Sequence, residues 1–103
     1  MLLRKDILLS LSSSLLGEVY PAIRKVVFRY KMEEKYFLLR FYLDREPNKK
    51  DEETASVVLS EFISNFSHKE FEKIESECVF SNDLQNKLDV LDGQVYSRKE
   101  YFD

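Results

Sequence analysis

Carboxylates crowd one short stretch of this sequence. Glu70, Glu72, Glu75 and Glu77 lie within eight residues, diluted by a single lysine, Lys73. Grouped carboxylates can do acid–base work when a cleft perturbs one of them. They can also build a local negative field that steers a cationic partner. Further acidic groups, Glu33/Glu34, Asp44/Glu46 and Asp51–Glu53, fall where turns or a helix start are expected. Charge is at home there without catalysis. A charged edge strand also accounts for the Glu70–Glu77 stretch, because edge charges block strand-to-strand aggregation. The residues expected to contact a partner are therefore Asp44, Glu46, Glu70, Glu72, Glu75 and Glu77.

Other reactive side chains are sparse. His68 is the only histidine; no nucleophile motif points to it and no second ligand sits at metal spacing. A solvated place in a polar turn is expected for it. Cys78 lies in an apolar phase without neighbouring cations, which suits a buried, inert thiol. Gly17 and Gly93 are too far apart for a phosphate-binding loop. Arg24, Lys25, Arg29 and Lys31 alternate with Phe28 and Tyr30, the manner in which some sheets hold single strands. The stretch matches no RNA-binding signature, and the order of elements is wrong for an RNA-recognition motif. No catalytic residue, cofactor, metal or nucleic-acid partner is expected.

The elements that must position these residues are legible in part. Leu3, Ile7, Leu8, Leu11 and Leu15 recur on one helical face, predicting an amphipathic helix from Leu2 to about Leu16, closed by Gly17 and Pro21. Arg4, Lys5 and Asp6 interrupt the apolar run, so a signal peptide or membrane span is not expected. Ala22–Tyr30 reads as a strand with Val26, Phe28 and Tyr30 on one face and Lys25, Val27 and Arg29 on the other. After a charged loop, Lys31–Lys35, a second strand at Tyr36–Leu43 sends Phe37, Leu39, Phe41 and Leu43 one way. Tyr36, Leu38, Arg40 and Tyr42 point the other way, a face mixed enough to be partly covered. So short a loop requires antiparallel neighbours.

Pro47 ends this strand, because it removes a ladder donor. Asn48 followed three residues later by Asp51 is a variant of the capping box. Ala55, Val58, Leu59, Phe62, Ile63 and Phe66 form an apolar stripe, predicting a helix over Lys49 to Asn65. Phe71–Phe80 fits a strand with a bulge near Lys73, or a short helix; the need for sheet partners favours the strand. Ser81–Asp92 reads as a loop or helical turn anchored by Leu84, Leu88 and Leu91. Gly93 then opens a last strand over Gln94–Lys99. The expectation is an α+β fold in the order helix-strand-strand-helix-strand-strand. An antiparallel sheet of about four strands would carry both helices on one face.

Size and composition agree with one small domain spanning residues 1–103. Of 103 residues, 44% are hydrophobic and 14% aromatic, enough for a core without disulfide or metal staples. The net charge is −3 and the isoelectric point about 5.3, which disfavours a broad nucleic-acid footprint but suits a basic protein partner. A single cysteine fits a reducing cytoplasm.

The central segment, RFYLDREPNKKDEETASVVLSEFISNF, resembles a motif of small bacterial proteins. In them a strand ending Phe-Tyr-x-Asp-x-Glu-Pro leads into an acidic, capped helix. The closing VYSRKE is similar to their C-terminal strand. Phe41, Tyr42, Asp44, Glu46, Pro47, Asp51, Glu52, Glu61, Tyr96, Arg98 and Glu100 carry the resemblance, over roughly half the chain. These are the immunity proteins of polymorphic toxin systems, including contact-dependent growth inhibition and colicin-like toxins. The pattern has acidic residues after the proline, where this chain has Asn48, Lys49 and Lys50. The resemblance implies a cytoplasmic, non-catalytic inhibitor. It would bind the C-terminal domain of a cognate toxin, a nuclease, and cover its active site or substrate surface. The alternative is a homodimeric structural or regulatory domain held by an apolar outer sheet face. No membrane partner is expected.

Overall fold

The computed structural model describes residues 4–100, with His68 described by its backbone alone. Two helices and four strands follow in the order α1 (Arg4–Leu15), β1 (Ile23–Lys31), β2 (Tyr36–Leu43), α2 (Lys49–Ser64), β3 (Lys73–Phe80) and β4 (Gly93–Ser97). Single 3-10 turns at His68–Glu70 and Gln85–Lys87 interrupt the connections on either side of β3. The α+β order expected from the sequence is the order the chain forms. Helix α2 starts where its capping residues require. The Asn48 side chain accepts from the Asp51 N–H, and the Asp51 carboxylate accepts from the Asn48 N–H, at 3.0 and 2.7 Å. Two orphan donors of the first turn are thereby satisfied.

The sheet runs β3-β2-β1-β4. Strands β1 and β2 form the expected antiparallel hairpin, and β4 is antiparallel to β1 on its other side. One pairing differs from the antiparallel expectation. Strand β3 lies parallel to β2, from Tyr36↔Lys73 to Leu43↔Phe80. The cause is α2, which carries the chain back along the sheet between the two strands, so β3 starts beside the beginning of β2. The sheet is therefore mixed.

Side-chain alternation splits the sheet into two faces. Ile23, Val26 and Phe28 of β1 and Phe37, Leu39, Phe41 and Leu43 of β2 pack under Ile7, Leu11 and Leu15 of α1 and Ala55, Val58, Leu59 and Phe62 of α2. Phe37 and Phe62 stack at 4.5 Å between ring centroids, and Phe71 meets both rings from just ahead of β3. The opposite face is half covered. The crossover of residues 81–92 lies over it, setting Leu88 against Val27 and Tyr42, with Leu91 and Val79 alongside. Of the three expected anchors Leu88 is buried, Leu91 half-buried and Leu84 exposed.

The uncertain segment before the crossover is a strand. It begins at Lys73 and pairs with β2 in unbroken register to Phe80. The irregularity expected near Lys73 is confined to its start, where the Glu72 and Lys73 N–H groups share the Lys35 carbonyl at 2.8 and 3.2 Å. Leu2 and Leu3, the expected start of the first helix, lie outside the described residues.

Candidate interaction surface

The six acidic residues do not converge on one spot. Glu70, Glu72, Glu75 and Glu77 follow β3 and its lead-in, whereas Asp44 and Glu46 leave β2 at the far end of the sheet. Glu77 lies level with Arg40, so even this nearest member of the first group stands about 13 Å short of Asp44 along the strand. Asp44 is also committed internally. Arg98 donates to its carboxylate and to the Pro21 carbonyl, both at 2.7 Å. Arg98 further holds Glu100, and Glu100 forms a two-pronged pair with Arg24 at 2.7 and 2.9 Å. Arg24 also donates to the Ser81 carbonyl at 2.9 Å. The network joins the ends of β1, β2, β3 and β4. Its bonds to Arg24 hold the Glu100 carboxyl below the usual carboxylate range. Asp44, Arg98 and Glu100, three residues that carry the family resemblance, thus serve the fold. Glu46 is exposed, and among the described residues its side chain has no partner.

The same holds for part of the basic stretch. Arg24 and Lys25 are buried, at 6% and 4% exposure, and the Lys25 ammonium donates to the Gln85 carbonyl at 3.0 Å. Two of the four cations that could have gripped nucleic acid are therefore spent inside the molecule.

Strand β3 gathers the remaining acidity. Its odd-numbered residues share the crossover face with β2. Glu75 accepts from the Tyr36 hydroxyl at 2.8 Å and pairs with Lys73 at 3.6 Å. Glu77 accepts from Arg40 at 2.8 Å. Glu72 is exposed and, among the described residues, its side chain has no partner. Glu70 is half-buried near Tyr30, whose pKa is raised mainly by burial and further by that charge. On the helix side an open groove of about 370 Å³ runs between α2 and β3, lined by Glu52, Ala55, Ser56, Ser76, Glu77 and Cys78. Val57 and Ile74 are exposed apolar residues on the two elements that flank it. Burial pushes the Cys78 thiol up to about 11, so it is protonated and unreactive at neutral pH.

Glu52 was missed in the sequence because it reads as a complement to the helix dipole. The available signal was helical phase: Ala55 and Ser56, three and four residues on, share its side of the helix and leave room for the groove. The side chain of His68 lies outside the described residues, as does any test of its expected solvated role.

The family model of the MafI2 immunity protein matches residues 4–100. The chain belongs to the MafI2 immunity protein family. Among curated proteins, none matches it. An immunity protein acts by binding a cognate toxin, so membership of the MafI2 family implies a non-catalytic, toxin-binding protein. Among the described residues, no helix is long and apolar enough to cross a membrane.

Proposed function

We propose that this MafI2-family chain neutralises its toxin by presenting the β3 side of the sheet to a basic surface of the toxin's C-terminal domain. The surface it fits is the nucleic-acid-binding face of a nuclease. Covering that face denies the toxin its substrate without any chemistry by the inhibitor. One observation carries the reading: Glu72, Glu75 and Glu77 follow the last strand of the sheet, and Glu52 of α2 joins Glu77 along the groove beside it. Such a field speeds encounter with a cationic partner and rejects anionic ones. The homodimer alternative needs an apolar outer face. The structure offers little of one, since Leu38 and Tyr42 are only 9% and 5% exposed.

The test uses stopped-flow association with the cognate toxin domain. Reversing Glu72 and Glu75 to lysine should slow association about tenfold at low salt and flatten its salt dependence. Reversing Lys49 and Lys50 should change little. An on-rate untouched by the glutamate reversals would move the contact to the Tyr36–Arg40 face. A toxin domain that still binds and cuts nucleic acid in the complex would reject the occlusion mechanism.

A further inference from the structure

The backbone of β3 carries a second signal. The N–H groups of Lys73 and Ser81 donate to the β2-side carbonyls of Lys35 and Leu43 at 3.2 and 3.1 Å. Backbone groups alternate sides along a strand, so Glu75, Glu77 and Val79 also turn theirs to β2. Ile74, Ser76, Cys78 and Phe80 therefore offer their N–H and C=O groups to the open side. Strand β3 is the last in the sheet, and among the described residues no strand pairs with that edge.

An open edge of this length is a template for another strand, and proteins normally blunt it. The usual devices are missing here. The pairing with β2 has no register shift, and the strand holds no proline. Only charge protects it. Glu75 and Glu77 on one face are already paired with Lys73 and Arg40. Glu72 at the start of the strand and Glu52 beside the groove have no cation partner among the described residues. Two copies of the chain meeting edge to edge would add like charges at these carboxylates, which is destabilising. A strand bearing cations would satisfy them.

We propose that the β3 edge accepts an extended, lysine- or arginine-bearing segment of the toxin domain as a fifth strand of the sheet. This rests on the toxin-binding reading above. The ladder would run from Ile74 to Phe80. Side chains of the added strand would alternate between the groove beside Glu52, Ser76 and Cys78 and the opposite face beside Glu75 and Glu77. Main-chain bonds supply attachment in this mode of recognition, and the flanking pockets supply selectivity.

Residue-resolved amide exchange on the chain, free and saturated with an inactive form of the cognate toxin domain, tests the proposal. Binding should slow exchange at least tenfold at Ile74, Ser76, Cys78 and Phe80. Glu75, Glu77 and Val79, already bonded to β2, should change far less. Ser76→Pro removes one outward donor and no β2 bond, so it should weaken binding at least tenfold with the circular dichroism spectrum unchanged. Should that variant misfold, the exchange pattern of the unaltered chain decides alone. Tight binding without slowed exchange at the four even-numbered residues overturns the added strand and leaves the immunity reading standing. Failure of the toxin domain to bind at all overturns both. Concentration-dependent protection of those amides in the free chain would assign the edge to a second copy and reject the proposal.

Discussion

Replacing Asp51 by asparagine separates charge from shape at the start of α2. The residue is 1% exposed, and its carboxylate accepts four hydrogen bonds. Two come from Arg45 at 2.6 and 3.0 Å, one from the Asn48 N–H at 2.7 Å, and one from the Tyr20 hydroxyl. The bonds from Arg45, then those from Tyr20 and Asn48, outweigh burial and hold its pKa down to about 2, against an ordinary 3.8. At neutral pH that depression corresponds to about 2 kcal/mol of stability. Asparagine keeps the shape but turns an amide donor towards other donors, bringing the expected loss to about 3 kcal/mol. The folded pKa lies below the unfolded one, so the charge contribution is complete above the unfolded value and fades as pH falls towards 2. At pH 3 about half of it should remain. Urea titration followed by circular dichroism at pH 7 and pH 3 measures both ends. The gap between the two proteins should narrow by about 1 kcal/mol at pH 3. A gap below about 1 kcal/mol at pH 7, or one equal at both pH values, would refute the argument.

Three further outcomes follow from packing. Phe41→Ala or Phe62→Ala should each cost about 3–5 kcal/mol in denaturant titration, since both rings are fully buried; a loss under about 1 kcal/mol would contradict their place in the core. A Cβ on Gly93 would stand 2.8 Å from the Phe28 ring and from the Arg4 guanidinium. Gly93→Ala should therefore lower stability by about 1–3 kcal/mol, and an unchanged melting temperature would show that the ring yields freely. The native Cys78 thiol should react slowly with alkylating reagents at neutral pH; rapid modification would contradict its raised pKa.

Periodicity made the hairpin and α2 readable. Tyr36–Leu43 alternates cleanly, and Asn48 with Asp51 marks a helix start that the hydrogen bonds reproduce. Strand β3 was ambiguous because it is an edge. With glutamates on one face and only Ile74, Cys78 and Phe80 as large apolar groups on the other, its pattern is weak. The parallel pairing depends on how α2 returns the chain, which no local pattern states. The 81–92 crossover was harder still, since its ties run to backbone carbonyls: Lys25 to Gln85, and Tyr42 to Asp89 at 2.8 Å. Sequence shows donors but not which carbonyl will meet them. That is why Arg24 and Lys25 read as surface cations. The acidic run at Glu70–Glu77 was readable as an edge. Its division from Asp44 and Glu46, and the addition of Glu52, required the fold.

The late position of β4 gives the chain a timetable. The β1–β2 hairpin closes over a short stretch, so it can form as soon as Leu43 has been synthesised. The other side of β1 waits for Gln94, Tyr96 and Ser97, which pair with Val27, Val26 and Lys25. The Arg24 guanidinium waits longer, for Glu100. Until then a nascent chain exposes a second bare strand edge and holds a cation without its carboxylate, a state prone to mispairing. Folding is thus gated by the final strand.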